Sequence, residues 1–314
     1  MANTNELFLS FYENIKLSST RSNNLKISRD ALRSDIKEWF EEKGKTKPNF
    51  CWQGSFAMKT TVNPLEGNEY DMDDGVYLNG YTDDDEEWPT TTTVHTWIKN
   101  ATDERTKQDS IDKNTCVRVV YADNYHIDLP IYIIKNETPY LAHKTKGWIE
   151  SDPRAFTNWF TDKVKENDEQ LRRVVRYLKV WKDYKSVPVK GIELTILASK
   201  NFDFFENRDD KSLKNTVANI ISSLEANYVC EKPVAPKENL FEDHSATKQN
   251  DIINAFKTLK KHLEAAMVED DEEKASEKLI EILGSRFPKG QKTENAEYET
   301  TKAPGVLRHN GRSG

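Results

Sequence analysis

Alternation of apolar and polar side chains is confined to the first half of this chain. It runs through residues 70–78, 117–121 and 125–134, and after residue 155 apolar residues recur at every third or fourth position instead. A chain divided in this way builds one sheet early and a set of helices late. Residues 6–15 and 27–40 also carry helical spacing, with Ser28 and Asp30 as expected N-caps, so two helices precede the sheet. The predicted fold class is α+β: a mixed β-sheet lobe with its N-terminal helices over residues 1–150, a helical lobe over 151–287, and a cleft between them. Helices are expected at 90–100, 155–164, 168–184, 192–204, 213–224 and 249–283, the last broken by the acidic run 269–273. Residues 288–314 are polar and weakly patterned, as a flexible tail would be.

Composition limits what such a fold can do. With 36% hydrophobic and 32% charged residues and a mean hydropathy of -0.82, no run approaches the length of a membrane span. The first residues lack a basic flank followed by an apolar block, so a cytoplasmic location without a secretion signal is expected. Cys51, Cys116 and Cys230 are odd in number and unpaired in spacing, which argues against a disulfide frame and a zinc site. A net charge of -7 works against holding long nucleic acid across an extended face. An anionic substrate then has to be met by a local basic pocket.

The strand at residues 70–78 carries the chemistry. Side chains alternate along a strand, so Asp71, Asp73, Gly75 and Tyr77 share one face while Met72, Val76 and Leu78 share the other. Asp74 falls on the apolar face and is expected at the strand's end, bonded into a turn at Gly75. The two carboxylates on the polar face lie about 7 Å apart by strand rise, and they repel unless a cation sits between them. In YHIDLPIYII, Ile127, Leu129, Ile131 and Ile133 form an apolar face and leave Asp128 on the polar one. Residues 122–124 make a short hairpin into this strand, and Pro130 marks a sheet edge or a break in the ladder. Paired beside the first strand, it completes a cluster of three aspartates. Hard oxygen ligands of this kind suit magnesium or manganese, and two such ions suit in-line phosphoryl or nucleotidyl transfer.

Two further stretches point to phosphate. Gly54 and Ser55 follow a short strand, residues 50–53, and open FAMKT, one expected helical turn whose N–H groups seat an anion. Lys59 and Thr60 add a cation and a donor, and Gln53 and Tyr77 are candidate base or sugar contacts. On a helical wheel of LRRVVRYLKVWKDYK, Arg172, Arg176 and Lys179 adjoin the apolar arc while Lys182 falls inside it. Three carboxylates with metals that bring in a triphosphate place Lys179 and Lys182 in the cleft, the alternative being rim lysines on a packed helix; Arg172 and Arg173 are read as surface charge.

QGSFAMKT with EYDMDDGVYL, HIDLPIY, YLKVWKDY and GIELTILA together resemble the cGAS/DncV-like nucleotidyltransferases of bacterial anti-phage signalling, and the DncV-like branch in particular. The likeness extends from the first helices to about Leu283. It implies a polymerase-beta-like fold, two magnesium ions with manganese as a substitute, nucleoside triphosphates such as ATP and GTP as substrates, and a cyclic di- or trinucleotide product, purine-containing, that acts on an effector. It also implies that Gly54 and Ser55 hold the donor triphosphate and that Asp71 and Asp73 ligate both ions. Asp128 then ligates the catalytic one and draws off the attacking hydroxyl's proton, while Lys179 and Lys182 contact phosphates. Lys190, before GIELTILA, stands where some relatives have a hydroxyl residue, which leaves the second lobe's contact open. The C-terminal Gly314 resembles a substrate for a ubiquitin-transfer-like ligase. Two other classes share the pattern in part: a template-independent enzyme adding nucleotides to RNA or protein, disfavoured for RNA by the acidic balance, and a non-catalytic nucleotide-sensing scaffold, which usually lacks one of the aspartates.

Overall fold

The computed structural model describes residues 3–292; the rest of the tail, with Gly314, lies outside the described residues. Two helices open the chain, α1 (Asn5–Ile15) and α2 (Ser19–Glu42). The second begins well before the periodicity does. Ser18, whose hydroxyl accepts from the Arg21 N–H at 3.3 Å, caps it, so Ser28 and Asp30 lie in mid-helix and are not caps.

The sheet lobe follows: β1 (Asn49–Gln53), the single turn α3 (Gly54–Ala57), β2 (Tyr70–Tyr77), α4 (Thr91–Thr102), β3 (Ile111–Asp112), β4 (Val117–Tyr121), β5 (Tyr125–Leu129), β6 (Ile131–Lys135), β7 (Thr138–His143) and β8 (Gly147–Glu150). β5 and β6 act as one strand interrupted at Pro130. The parallel register with β2 continues unchanged through the interruption, from Asp73 opposite Asp128 to Val76 opposite Ile131. On its outer side the pairing changes from β4 to β7, because proline has no N–H to continue the ladder. Pro130 thus marks the break, in the sheet's interior and not at its edge. β1 covers the other side of β2 in antiparallel register, and the sheet is mixed as expected.

Met72, Val76, Val119, Ile127 and Ile131 bury the sheet's apolar face against Leu25, Leu32, Ile36 and Phe40 of α2 and Val94 and Ile98 of α4. Asp74 belongs to this face too. It does not end the strand: its carboxylate is fully buried and takes two hydrogen bonds from Arg33 of α2, at 2.7 and 2.6 Å. Burial still holds Asp74 above the usual carboxylate pKa while Arg33 pulls the other way.

The helical lobe comprises α5 (Pro153–Tyr184), α6 (Gly191–Lys200), α7 (Asp209–Ala226), α8 (Ala246–Met267) and α9 (Glu272–Leu283). The gap expected after residue 164 appears inside α5 as a local break at Asp168, φ 58°, whose carboxylate accepts from the Glu169 N–H and restarts the helix. α6 stops at Lys200, short of residue 204, where Asn201 turns its amide back onto the Leu197 carbonyl. α1 joins this lobe instead of the sheet: Phe8 and Phe11 pack on Tyr177 of α5 and on Phe287. Residues 288–292 continue in contact with the lobe, the Gly290 N–H donating to Ser276 at 2.9 Å. Among the described residues no helix is long and apolar enough to cross a membrane, and the three cysteines are free.

Removing the Arg33 guanidinium leaves Asp74 as an uncompensated buried charge. Arg33→Met should cost about 3 kcal/mol in chemical denaturation. The double variant Arg33→Met/Asp74→Leu should recover most of that loss, and full additivity of the two single changes would refute the pairing.

Candidate active site

The polar face of the sheet meets the helical lobe across a cavity of about 940 Å³, at the large end for ligand pockets. Asp71 and Asp73 of β2 line it, with Gln53, Gly54 and Ser55 on one side and Lys179 and Lys182 of α5 on the other. The two aspartates share a face as their spacing requires, and neither accepts a hydrogen bond from a described residue.

Four side chains stand in register across neighbouring strands at this level. Gln53 of β1 is opposite Asp73 of β2, Asp73 is opposite Asp128 of β5, and Asp128 is opposite Arg118 of β4. Asp73 is therefore held beside a second carboxylate, with Asp71 two residues away. Burial first, then Asp71 and Asp128, push its pKa well above the usual value, against the pull of Arg118 and Lys179. The charged form of Asp73 wants a cation nearby.

Gly54 makes the aspartates and the small-residue turn into one surface. Its φ is 64°, and a side-chain carbon built there would fall 2.1 Å from Oδ2 of Asp73. Only glycine combines that dihedral with that contact. The Ser55 hydroxyl is held 2.9 Å from that of Thr61, and Thr60 donates its N–H to the Ser55 carbonyl at 2.8 Å, so the turn is braced from behind.

On the helical side, Lys179 donates to the hydroxyl and carbonyl of Thr60, at 2.9 and 3.3 Å. Burial lowers its pKa to about 8 although Asp71 raises it. Lys182 reaches the cleft wall while pairing with Asp183 at 2.7 Å. The N-terminal turn of α6 faces the same space through Gly191, Ile192 and Thr195. Lys190 itself is exposed; the hydroxyl nearest the cleft on this element is that of Thr195, which bonds the Gly191 carbonyl at 2.8 Å.

Other sequence readings land elsewhere. Lys59 is exposed and outside the cavity lining. Tyr77 is fully buried, stacked on Tyr132 at 4.8 Å beneath the Arg154 guanidinium, and does not face the cleft. Gln53 faces it but is anchored, its amide donating to the Tyr132 hydroxyl at 3.0 Å. Arg172 and Arg173 are not surface charges. Arg172 donates to the Met58 carbonyl at 2.9 Å, and Arg173 forms a two-bond pair with buried Asp209.

Asp128 is beside the cavity but not part of its lining, because Arg118 takes both of its oxygens at 2.7 Å. Among the described residues no three carboxylate, histidine or cysteine side chains converge on one point. The donor chemistry nonetheless fits a hard divalent cation: Asp71 and Asp73 are open, and Asp128 adjoins them. Arg118 escaped the sequence reading although the signal was present. A three-residue hairpin at 122–124 pairs residue 121 with 125 and hence 118 with 128. Lys232, which enters the cleft from the loop after α7, has no sequence signature.

Comparison with known proteins identifies the family and the fold. Residues 48–132 match the family model for the nucleotidyltransferase domain of "Cyclic GMP-AMP synthase DncV-like", and residues 168–295 match that for the "Cyclic GMP-AMP synthase, C-terminal domain". A cyclic GMP-AMP synthase of Escherichia albertii is 27% identical over 220 residues, covering 65% of this chain and 47% of that protein. A cyclic AMP-AMP-AMP synthase of Acinetobacter sp. is 24% identical over 93% of this chain and 88% of its own length. The crystal structure of the Vibrio cholerae DncV cyclic AMP-GMP synthase superposes with a TM-score of 0.77 at 20% identity, covering 90% of this chain and 97% of that one. The chain spans about half the length of the Escherichia albertii relative and most of the others. With both domain models matched in order and the two-lobed fold in common, the chain belongs to the DncV-like nucleotidyltransferase family.

Proposed function

We propose that this protein joins nucleoside triphosphates into a cyclic di- or trinucleotide with release of pyrophosphate. The observation that carries the reading is the close approach of Gly54 to Asp73, which puts the turn read as a phosphate seat beside a pair of open carboxylates on one wall of a cleft. The relatives' names favour purine bases, since cyclic GMP-AMP and cyclic AMP-AMP-AMP contain no others. The motif resemblance to the nucleotidyltransferases of bacterial anti-phage signalling extends the proposal: the product is a messenger acting on an effector in that defence.

In this mechanism the N–H groups opening α3 and the Ser55 hydroxyl hold the donor triphosphate against the carboxylate wall. Lys179 and Lys182 approach from the helical side as counter-charges to the phosphates. Asp71, Asp73 and, on parting from Arg118, Asp128 would hold magnesium. When bound, the ions would sharpen the attacking hydroxyl and offset charge on the leaving pyrophosphate. The size of the cavity leaves room for the acceptor nucleotide beside the donor.

Incubation of the chain with all four nucleoside triphosphates and magnesium or manganese, followed by phosphatase and mass spectrometry, tests this directly. A phosphatase-resistant cyclic product, absent with Asp71→Ala/Asp73→Ala, is expected. Linear chains, or label transferred to RNA or protein, would overturn it in favour of a template-independent transferase.

Lys179 adds a pH signature. Its ammonium is charged below about 8 and is lost above that pH in the nucleotide-free enzyme. If it meets phosphate, kcat/KM for triphosphate should fall about tenfold per pH unit on the alkaline side. Lys179→Met should lower kcat/KM by about a hundredfold at neutral pH and abolish that limb; a variant retaining the limb would place the titrating group elsewhere.

A further inference from the structure

The cross-strand row through Gln53, Asp73 and Asp128 ends in a cation. Arg118 donates Nε and Nη2 to the two oxygens of Asp128, both at 2.7 Å, and bonds no other acceptor among the described residues. The pair is only slightly exposed, 22% and 12% at the two side chains. A planar guanidinium matched to a carboxylate in this way is a strong, directional contact. It also gives Asp128 a positive partner at the point where the parallel register forces it beside Asp73. The same contact keeps the third carboxylate from turning toward Asp71 and Asp73, which agrees with the lack of a convergent ligand group.

Resting on the reading of these aspartates as ligands of a divalent ion, we propose that Arg118 is a resident counter-ion which the metal has to displace from Asp128. Its guanidinium then sets how tightly the site takes up metal. Arg118 acts through Asp128 and is a positioning residue. Two cations compete for one carboxylate, so the fork that stabilises the metal-free sheet weakens the first step of loading. Asp74 shows the contrast on the opposite face: its carboxylate is fully buried in the core on the side away from the cleft, where no ion from the cleft reaches it, whereas Asp128 adjoins an open cleft.

A plain structural role is the rival explanation, since Arg118 also ties β4 to β5. Titration of the nucleotide-free full chain with Mn2+ at fixed pH and salt, following free Mn2+ by electron paramagnetic resonance, separates the two. Arg118→Met is expected to bind Mn2+ about tenfold more tightly than the unsubstituted chain, within the range of coupling between linked sites. Arg118→Lys, which keeps the charge but not the fork, should fall between. In an Asp128→Asn background the difference should vanish. Metal-free Arg118→Met should also melt lower than the unsubstituted chain, with Mn2+ closing the gap. Equal or weaker Mn2+ binding by Arg118→Met, with melting lowered equally in the presence and absence of Mn2+, would overturn the proposal and leave Arg118 a strut. Failure of the unsubstituted chain to bind Mn2+ in a manner lost with Asp71→Ala/Asp73→Ala would overturn the metal reading of the site and this inference together.

Discussion

Parallel pairing of β2 with β5 sets Asp73 and Asp128 side by side, and the repulsion between them organises everything around them. Two carboxylates at neighbouring strand positions have Cβ atoms about 5 Å apart, a separation at which like charges directly opposed destabilise a sheet. Burial sharpens the cost, as the raised pKa of Asp73 records. The structure answers on three sides: Arg118 occupies Asp128, Lys179 lends a more distant positive charge to Asp73, and Gly54 withholds a side chain so that the carboxylate has somewhere to lie. A sheet built for stability alone would place apolar residues at these positions. Clustered, perturbed carboxylates of this kind concentrate at functional sites, which is the ground for reading these as one.

β2 manages two kinds of acid within four residues. Asp71 and Asp73 face the cleft and are left unbonded, while Asp74 faces the core and is bonded twice by Arg33. Strand alternation alone separates them, because a shift of one residue in register would exchange the permanently paired acid with the open ones. The Arg33 contact therefore also guards the register. With Asp74 locked to α2, Asp71 and Asp73 can point only toward the cleft.

Much of this was legible from periodicity. The alternation at 70–78 and 125–134 identified the faces of both central strands, and the short loop at 122–124 identified the hairpin. Periodicity reports which side chains are apolar, however, and it is silent where polar groups satisfy one another. Asp74 looked like a strand end because its partner, Arg33, lies 41 residues earlier on a helix whose start was also obscured by a polar first turn. Arg172 and Arg173 looked like surface charge for the same reason: their acceptors, the Met58 carbonyl and Asp209, are set by tertiary packing. Tyr77 obeyed its predicted face, but Arg154 and Tyr132 cover it, a layer that alternation cannot reveal.

The cations of α5 show how the two lobes become one site. Arg172 bonds the Met58 carbonyl, Lys179 bonds Thr60, and Arg176 bonds the Tyr12 hydroxyl at 2.8 Å, so a single helix face grips both the segment after the Gly54-Ser55 turn and the N-terminal helix. The acceptors on the sheet side are the Met58 and Thr60 carbonyls and the Thr60 hydroxyl, the last taking the shorter of the two Lys179 bonds, so the grip draws on the buried Thr60 side chain as well as on the backbone. The turn that would seat a triphosphate is then fixed relative to the lysines that would neutralise it, before any ligand arrives. Such preorganisation matters for phosphoryl chemistry, in which positioning and charge do most of what a protein can contribute. Lys179 stands at the junction of the two roles. It braces the turn through Thr60 and offers the cleft a cation whose pKa, about 8, keeps it charged at neutral pH yet close enough to titration to respond to a bound phosphate.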